Sequence, residues 1–300
     1  MSAAGPDSNA ATGPGLSAAT ELGTLLRSRR AALSPEDVGL PDGRRRRTPG
    51  LRREEVAQLA SISPTYYALI ERGRAVNPSL QIIDALGAAL RLSPAESDYL
   101  HTLAAGKAVP PAPAASAEIL AAGVADLVAR LDPYPTYVTG RRWDVLAANR
   151  AARALWTDWP AVPESDRNML IWTFTASEAR QVFVEWESEA MALLARFRAA
   201  AARHLGDPGF TELIDRLHAI SPEVRAWWHR QDVAPLGSGT KRLRHPTLGE
   251  IDLQHVVLQV ADNPEHKVIT FTPTHEDTQR IAALIAGKST TSGPQSSSRR

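Results

Sequence analysis

The 300-residue chain has no cysteine. That excludes disulfides, thiolate catalysis and thiol-based redox sensing. Lysine stands only at positions 107, 241, 267 and 288, so arginine supplies almost all the basic charge. No apolar run approaches the roughly 18 residues of a membrane-spanning helix, so membrane insertion is not expected. Residues 1–19 are rich in Ala, Gly, Ser and Pro and lack the basic start and apolar stretch of a secretory signal; they read as a disordered leader on a cytoplasmic protein. Of the eight histidines, none lies three or four residues from another, so no helical metal-binding pair exists. There is no nucleophile elbow, P-loop or dinucleotide glycine motif. Neither an enzyme nor a metal site is expected.

What is present is an uneven charge distribution. The net charge is +1, yet between Arg27 and Arg74 eleven arginines face six acids, a local net charge of +5, so the rest of the chain is slightly acidic. This pattern suggests a basic module joined to an acidic one, and the length suits about two domains. Apolar periodicity predicts helices over 21–33, 52–60, 64–72, 79–90 and 94–103, with Ser63-Pro64 and Ser93-Pro94-Ala95-Glu96 as starts. Residues 106–116 carry Pro110, Pro111 and Pro113 and read as a linker.

The stretch from Arg52 to Gly73 has the composition of a helix-turn-helix. Ala57 is the small residue where two short helices cross. Val56, Ile62 and Ile70 are apolar enough to share a core, and Ala60-Ser61-Ile62 makes a tight turn. The second helix then presents its N-terminal polar residues to a major groove. At these residues, and at Ile70-Glu71-Arg72-Gly73, Pro78 and Ile82-Ile83-Asp84-Ala85-Leu86, the sequence resembles the Xre-type, lambda-repressor-like five-helix DNA-binding family over about 20–104. It departs from that pattern in a long link carrying Arg44, Arg45, Arg46 and Arg47. The resemblance implies that Ser63, Thr65, Tyr66 and Tyr67 face the groove, that Arg52 and Arg53 meet phosphate, and that Arg72 and Arg74 clamp the backbone beyond. Each arginine has a plain alternative as a solvated or intradomain charge, the Arg44–Arg47 run is either a solvated loop or an arm on DNA, and at least one of the two tyrosines packs in the core. Glu71 is expected to be structural, because phosphate repels a carboxylate.

The second half predicts a helix over 117–131, a hairpin of two strands around Gly140-Arg141-Arg142, a series of helices including a long one over 177–205, three strands after position 240 and a closing helix over 276–286. Two early and three late strands can form one antiparallel sheet with helices covering one face. All seven tryptophans lie here, suited either to a core or to a pocket for an apolar ligand. Trp227 and Trp228 are adjacent on a helix, so one of them is expected to face a pocket, a partner or solvent.

The segment Trp143 to Leu155 places Asn149 between a strand and an Ala-rich helix and looks like the opening of a PAS domain. With Arg167-Asn168-Met169-Leu170, Phe183 to Glu187 and Pro222 to Asp232, the second half resembles the MmyB-like regulator ligand-binding domain over about 115–275. That resemblance implies a PAS-like fold holding a small apolar molecule, with a fatty acid as the named candidate and no other cofactor. Met169, Trp172, Phe183, Trp186 and Trp227 are the candidate pocket residues.

The expected architecture is an all-α five-helix DNA-binding domain over 20–105, a linker over 106–116, an α+β PAS-like domain with an antiparallel sheet over 117–286, and a disordered tail over 287–300. The expected function is a ligand-responsive transcription regulator binding double-stranded DNA as a homodimer. Two other readings stand beside it: a regulator whose second domain is a protein-interaction module, and a lipid-binding or catalytic PAS-like domain whose DNA contact is secondary.

Overall fold

Serine and proline punctuate the first half of the chain. Helix α1 (Ala18–Ala32) begins where Ser17 accepts a hydrogen bond from the Thr20 N–H. After a 3-10 turn at Glu36–Val38 come α2 (Arg53–Leu59), α3 (Pro64–Glu71), α4 (Leu80–Ala89) and α5 (Pro94–Ala105). Ser63, Ser79 and Ser93 cap the last three, accepting from the N–H groups of Tyr66, Ile82 and Glu96. Each such cap satisfies a donor the helix cannot, a contribution of about 1 kcal/mol. Ser93 completes the expected capping box, its own N–H donating to Glu96 Oε2 at 2.7 Å. Leu22, Leu25, Leu26, Leu51, Val56, Tyr67, Ile70, Ile83, Leu86 and Leu100 are buried together as the core. At Gly23, α1 crosses α3 so closely that an added Cβ would collide with the Glu71 carbonyl.

The computed structural model describes residues 17–41, 50–74, 77–106 and 118–290. The Arg44–Arg47 run, the leader up to residue 16, most of the expected linker and the tail from 291 lie outside the described residues. The described residues divide into two compact units: those up to Ala112 together with Ala202–Thr211, and those of 113–201 and 212–300.

The second half runs α6 (Ala122–Arg130), β1 (Thr136–Thr139), β2 (Val145–Ala148), α7 (Arg150–Leu155), α8 (Met169–Thr175), α9 (Ser177–Val182), α10 (Trp186–Ala201), α11 (Pro208–Ile220), α12 (Pro222–Trp228), β3 (Gly239–His245), β4 (Gly249–Val260), β5 (Asn263–Thr272) and α13 (His275–Thr290). The two early and three late strands form one antiparallel sheet in the order β2-β1-β5-β4-β3, as the sequence predicts. Asn149 ties the junction of β2 and α7. Its Oδ1 accepts from the N–H groups of Thr136 and Ala152 at 3.1 and 2.9 Å, and its Nδ2 donates to the Tyr134 carbonyl at 2.8 Å.

The structure corrects two expectations. The helix over 177–205 is broken at Phe183–Glu185, where the chain turns aside to meet the sheet: Phe183 bridges to Leu243, and the Val184 N–H donates to the Arg242 carbonyl at 3.1 Å. An edge strand offers unpaired backbone groups, and two bulky residues with good β propensity take them. Helices also cover both faces of the sheet, not one. Val128 of α6 packs on Val138 and Val268, whose side chains alternate with those facing α8 and α10.

Candidate nucleic-acid interface and ligand cavity

The helix-turn-helix is assembled around a buried charge. Glu71 is 1% exposed. Arg30 Nε donates to its Oε2 at 2.9 Å, and Arg53 donates to its Oε1 at 2.8 and 3.1 Å. Arg27 Nε reaches Oε1 at 3.4 Å, and Arg30 also donates to the Leu51 carbonyl at 2.9 Å. Burial alone would raise the Glu71 carboxyl, but Arg30 and Arg53 hold it at about 2. The carboxylate therefore ties α1, the start of α2 and the end of α3 together, the structural role expected of it. Val56, Ala57 and Ile70 are buried beneath the turn, and Ile62 is half-buried.

This network sorts the predicted DNA contacts. Thr65 is exposed near the start of α3 and Tyr66 is half-buried. Ser63 is exposed, with its hydroxyl oxygen engaged as the cap. Arg52, Arg72 and Arg74 are exposed around the helix pair. Tyr67 does not face outward: it is 0% exposed, on the side of α3 shared with Ile70 and Glu71, three and four residues on. Burial, and then the Glu71 carboxylate, pushes its phenol above the usual range. The guanidinium of Arg53, expected on phosphate, is held by Glu71.

In the second unit, strand register brings distant residues onto one face of the sheet. Thr139 lies opposite Lys267, Tyr137 and Val257 lie opposite Ile269, and His255 lies opposite Phe271 and Gly239. Between this face and the helices α8 and α10 is a cavity of about 60 Å³. Tyr137, Trp143, Met169, Phe183, Leu193, Leu236, Val257 and Ile269 form its apolar lining, and Thr139, Glu189, Arg196, Lys241, His255 and Lys267 its polar lining. Lys241 pairs with Glu189. Burial lowers the Lys241 ammonium, with Glu189 partly offsetting it. Burial also lowers His255, helped by the nearby Lys241 and Arg196 cations, which leaves the imidazole neutral at pH 7. Thr139 Oγ1 and His255 Nδ1 are buried with no hydrogen-bond partner among the described residues.

Of the five predicted pocket residues, Met169 and Phe183 line the cavity. The other three pack among aromatic rings outside it, Trp172 and Trp227 buried and Trp186 half-buried. Trp172 packs on Trp159 and Phe183, and Trp186 on Phe174 and Trp227, with centroids 5.7 to 6.2 Å apart. Both members of the Trp227-Trp228 pair are buried, contrary to expectation. Trp227 lies against Phe174 and Trp186, while Trp228 lies against Phe197 and His218 beneath the Arg198 guanidinium. Core exists on both sides of α12, so opposite directions both lead inward. The sequence reading missed the charged lining. A signal was there: His255 and Lys267 stand at inward positions of alternating strands, where an apolar residue is the rule.

Among the described residues no cluster of His, Cys, Asp or Glu could hold a metal ion, and no helix is long and apolar enough to cross a membrane. An outward-facing recognition helix on a five-helix unit, with a lined cavity in an α+β unit, defines a DNA-binding protein with a separate ligand-binding domain. Residues 21–100 match the model of a helix-turn-helix domain. Residues 120–284, more than half of the chain, match that of the MmyB-like transcription regulator ligand binding domain, and the chain belongs to this family. No curated protein matches the chain.

Proposed function

We propose that the protein is a cytoplasmic, homodimeric, Xre-type transcription regulator without catalytic activity, and that its PAS-like second domain senses a small apolar molecule with an anionic head, such as a fatty acid. The observation that carries the DNA-binding part is the division of charge on the helix pair. Glu71, the acid nearest the end of α3, is neutralised inside, while Arg52, Arg72 and Arg74 stay outside, flanking Thr65 and Tyr66. Exposed cations supply sequence-independent affinity, and the polar residues of α3 supply base reading. Two copies would set their reading helices about 34 Å apart on a palindromic site.

The cavity supports the second part. Its lining is mostly apolar, its cations Arg196, Lys241 and Lys267 outnumber Glu189, and two of its polar atoms lack partners. A ligand carboxylate would find donors there, and buried polar groups are otherwise paired. At about 60 Å³ the cavity is small beside the roughly 150 Å³ that admits benzene. An acyl chain must widen it or pass through its mouth. The protein-interaction alternative draws on Val256 and Leu258, which are 40% and 55% exposed on the reverse face of the sheet.

Selection of genomic fragments by the full-length protein tests the DNA reading: enrichment of a palindromic site is expected, and no enrichment above background overturns it. Native mass spectrometry of gently purified protein tests the ligand reading. A co-purifying acid supports it; a clean apo mass that decanoate does not shift favours the interaction module.

A further inference from the structure

We propose that Glu118 is a clamp through which occupancy of the cavity is communicated to the chain that arrives from the DNA-binding domain, an inference that rests on reading the cavity as a ligand site. One turn, Gly140 to Trp143, is gripped from two sides. From the cavity side, Lys267 Nζ donates to the Gly140 carbonyl at 3.3 Å, while the ammonium sits 4.4 Å from the centre of the Trp143 ring. Both Lys267 and Trp143 line the cavity. From the other side, the Arg141 N–H donates to both oxygens of the Glu118 carboxylate at 3.1 and 3.2 Å, and His266 Nε2 lies 3.2 Å from Glu118 Oε2. The carboxylate is seated on Gly140, where an added Cβ would collide with it.

Three features make this a coupling and not only a fastening. His266 and Lys267 are neighbours on β5, so one reaches Glu118 while the other reaches the cavity. The turn holds Trp143 at φ +66°, a left-handed conformation that a bulky residue adopts only when its surroundings impose it. Finally, Lys267 is 3% exposed, so an anionic head entering the cavity would compete with the Gly140 and Glu265 carbonyls, at 3.3 and 3.1 Å, for a cation that water barely reaches. Drawing the ammonium away removes one of the contacts that impose the strained turn. The Arg141 N–H then aims less well, and the hold on Glu118, which the Arg141 guanidinium at 3.5 Å shares, loosens. A neutral apolar occupant would leave the clamp closed.

Hydrogen exchange of full-length protein tests this without knowledge of the natural ligand. Lys267→Met keeps the stem on Trp143 and removes the ammonium. Exchange at the Arg141 amide should then accelerate about tenfold, as expected for loss of a charge-assisted hydrogen bond, with the Leu253 and Phe271 amides unchanged. Unchanged Arg141 exchange overturns the proposal. In the unsubstituted protein, sodium decanoate seen as a bound adduct should produce the same acceleration, and an adduct without it also overturns the clamp. If decanoate does not bind but Lys267→Met loosens Arg141, the fatty-acid reading fails while the clamp stands. Should Lys267→Met not fold, Glu118→Ala decides: by reciprocity of coupled sites it should tighten decanoate binding about tenfold, and unchanged affinity overturns the clamp.

Discussion

The carboxylate of Glu71, shielded from solvent, lies 2.8 Å from the guanidinium of Arg53. The pair sits at the centre of the helix-turn-helix, not on its surface. It joins the last residue of α3 to the first of α2, so the angle between recognition helix and supporting helix is set electrostatically as well as by packing. It also divides the basic residues of this unit into those that build it and those that can meet DNA.

That division predicts different outcomes for neighbouring arginines. Arg72→Ala and Arg74→Ala should weaken binding to all sequences and flatten the salt dependence by about 0.9 per lost phosphate contact. Arg53→Ala should mainly lower stability. Anisotropy titrations across a salt series check this, and a flattened slope for Arg53→Ala would return it to the interface. The same experiment on Arg44–Arg47 changed to Ala decides whether that run is an arm on DNA.

Thr65 and Tyr67 should behave oppositely. Thr65→Ala is expected to alter base preference with little effect on folding, whereas Tyr67→Ala should cost about 3–5 kcal/mol of stability, as for other buried aromatics. Selection on a randomised site, paired with denaturation, separates them. A uniform loss of affinity for Thr65→Ala would show that it does not read bases.

Acid should act on the first unit through Glu71. Its folded value of about 2 lies below the 4.5 of a free carboxyl. Its stabilisation is therefore fully present above about pH 4.5 and lost as pH falls toward 2, with a size on the order of 3 kcal/mol. Glu71→Gln should be less stable near neutrality, and the gap should close on acidification. All the tryptophans lie outside the helix-turn-helix, so their fluorescence does not report on it; circular dichroism or amide NMR must follow the change. A gap that stays constant with pH would refute the assignment.

Filling the cavity should separate binding from folding. Leu193→Trp places a large ring in the space and should abolish a decanoate adduct while the protein stays folded. Trp227→Ala should do the reverse, costing about 3–5 kcal/mol and leaving binding intact. Loss of the adduct in Trp227→Ala alone would restore Trp227 to the ligand site.

Much of the fold was legible in the residues themselves. Ser63, Ser93 and Asn149 mark helix starts because their side chains accept from N–H groups a helix leaves open, a local property. Apolar spacing located the five helices, and all five strands lie about where the sequence predicts them. The exposed side of α3 was partly legible, since position along a helix gives direction. Whether Tyr66 or Tyr67 turned inward depended on which side of α3 packs on α1, and α1 is distant in sequence.

Local pattern was enough for most of the succession of helices and strands and for the helix-turn-helix, because caps, turns and periodicity act over a few residues, and composition alone separates a basic from an acidic half. Long-range packing settled which arginines surround Glu71, that the break at Phe183 sends the chain to β3, and that Thr139, His255 and Lys267 share one cavity wall. Those outcomes depend on strand register and on burial. Both bring together residues far apart along the chain, Arg30 and Glu71 by 41 positions and Thr139 and Lys267, paired across β1 and β5, by well over a hundred, and local pattern carries no information about them.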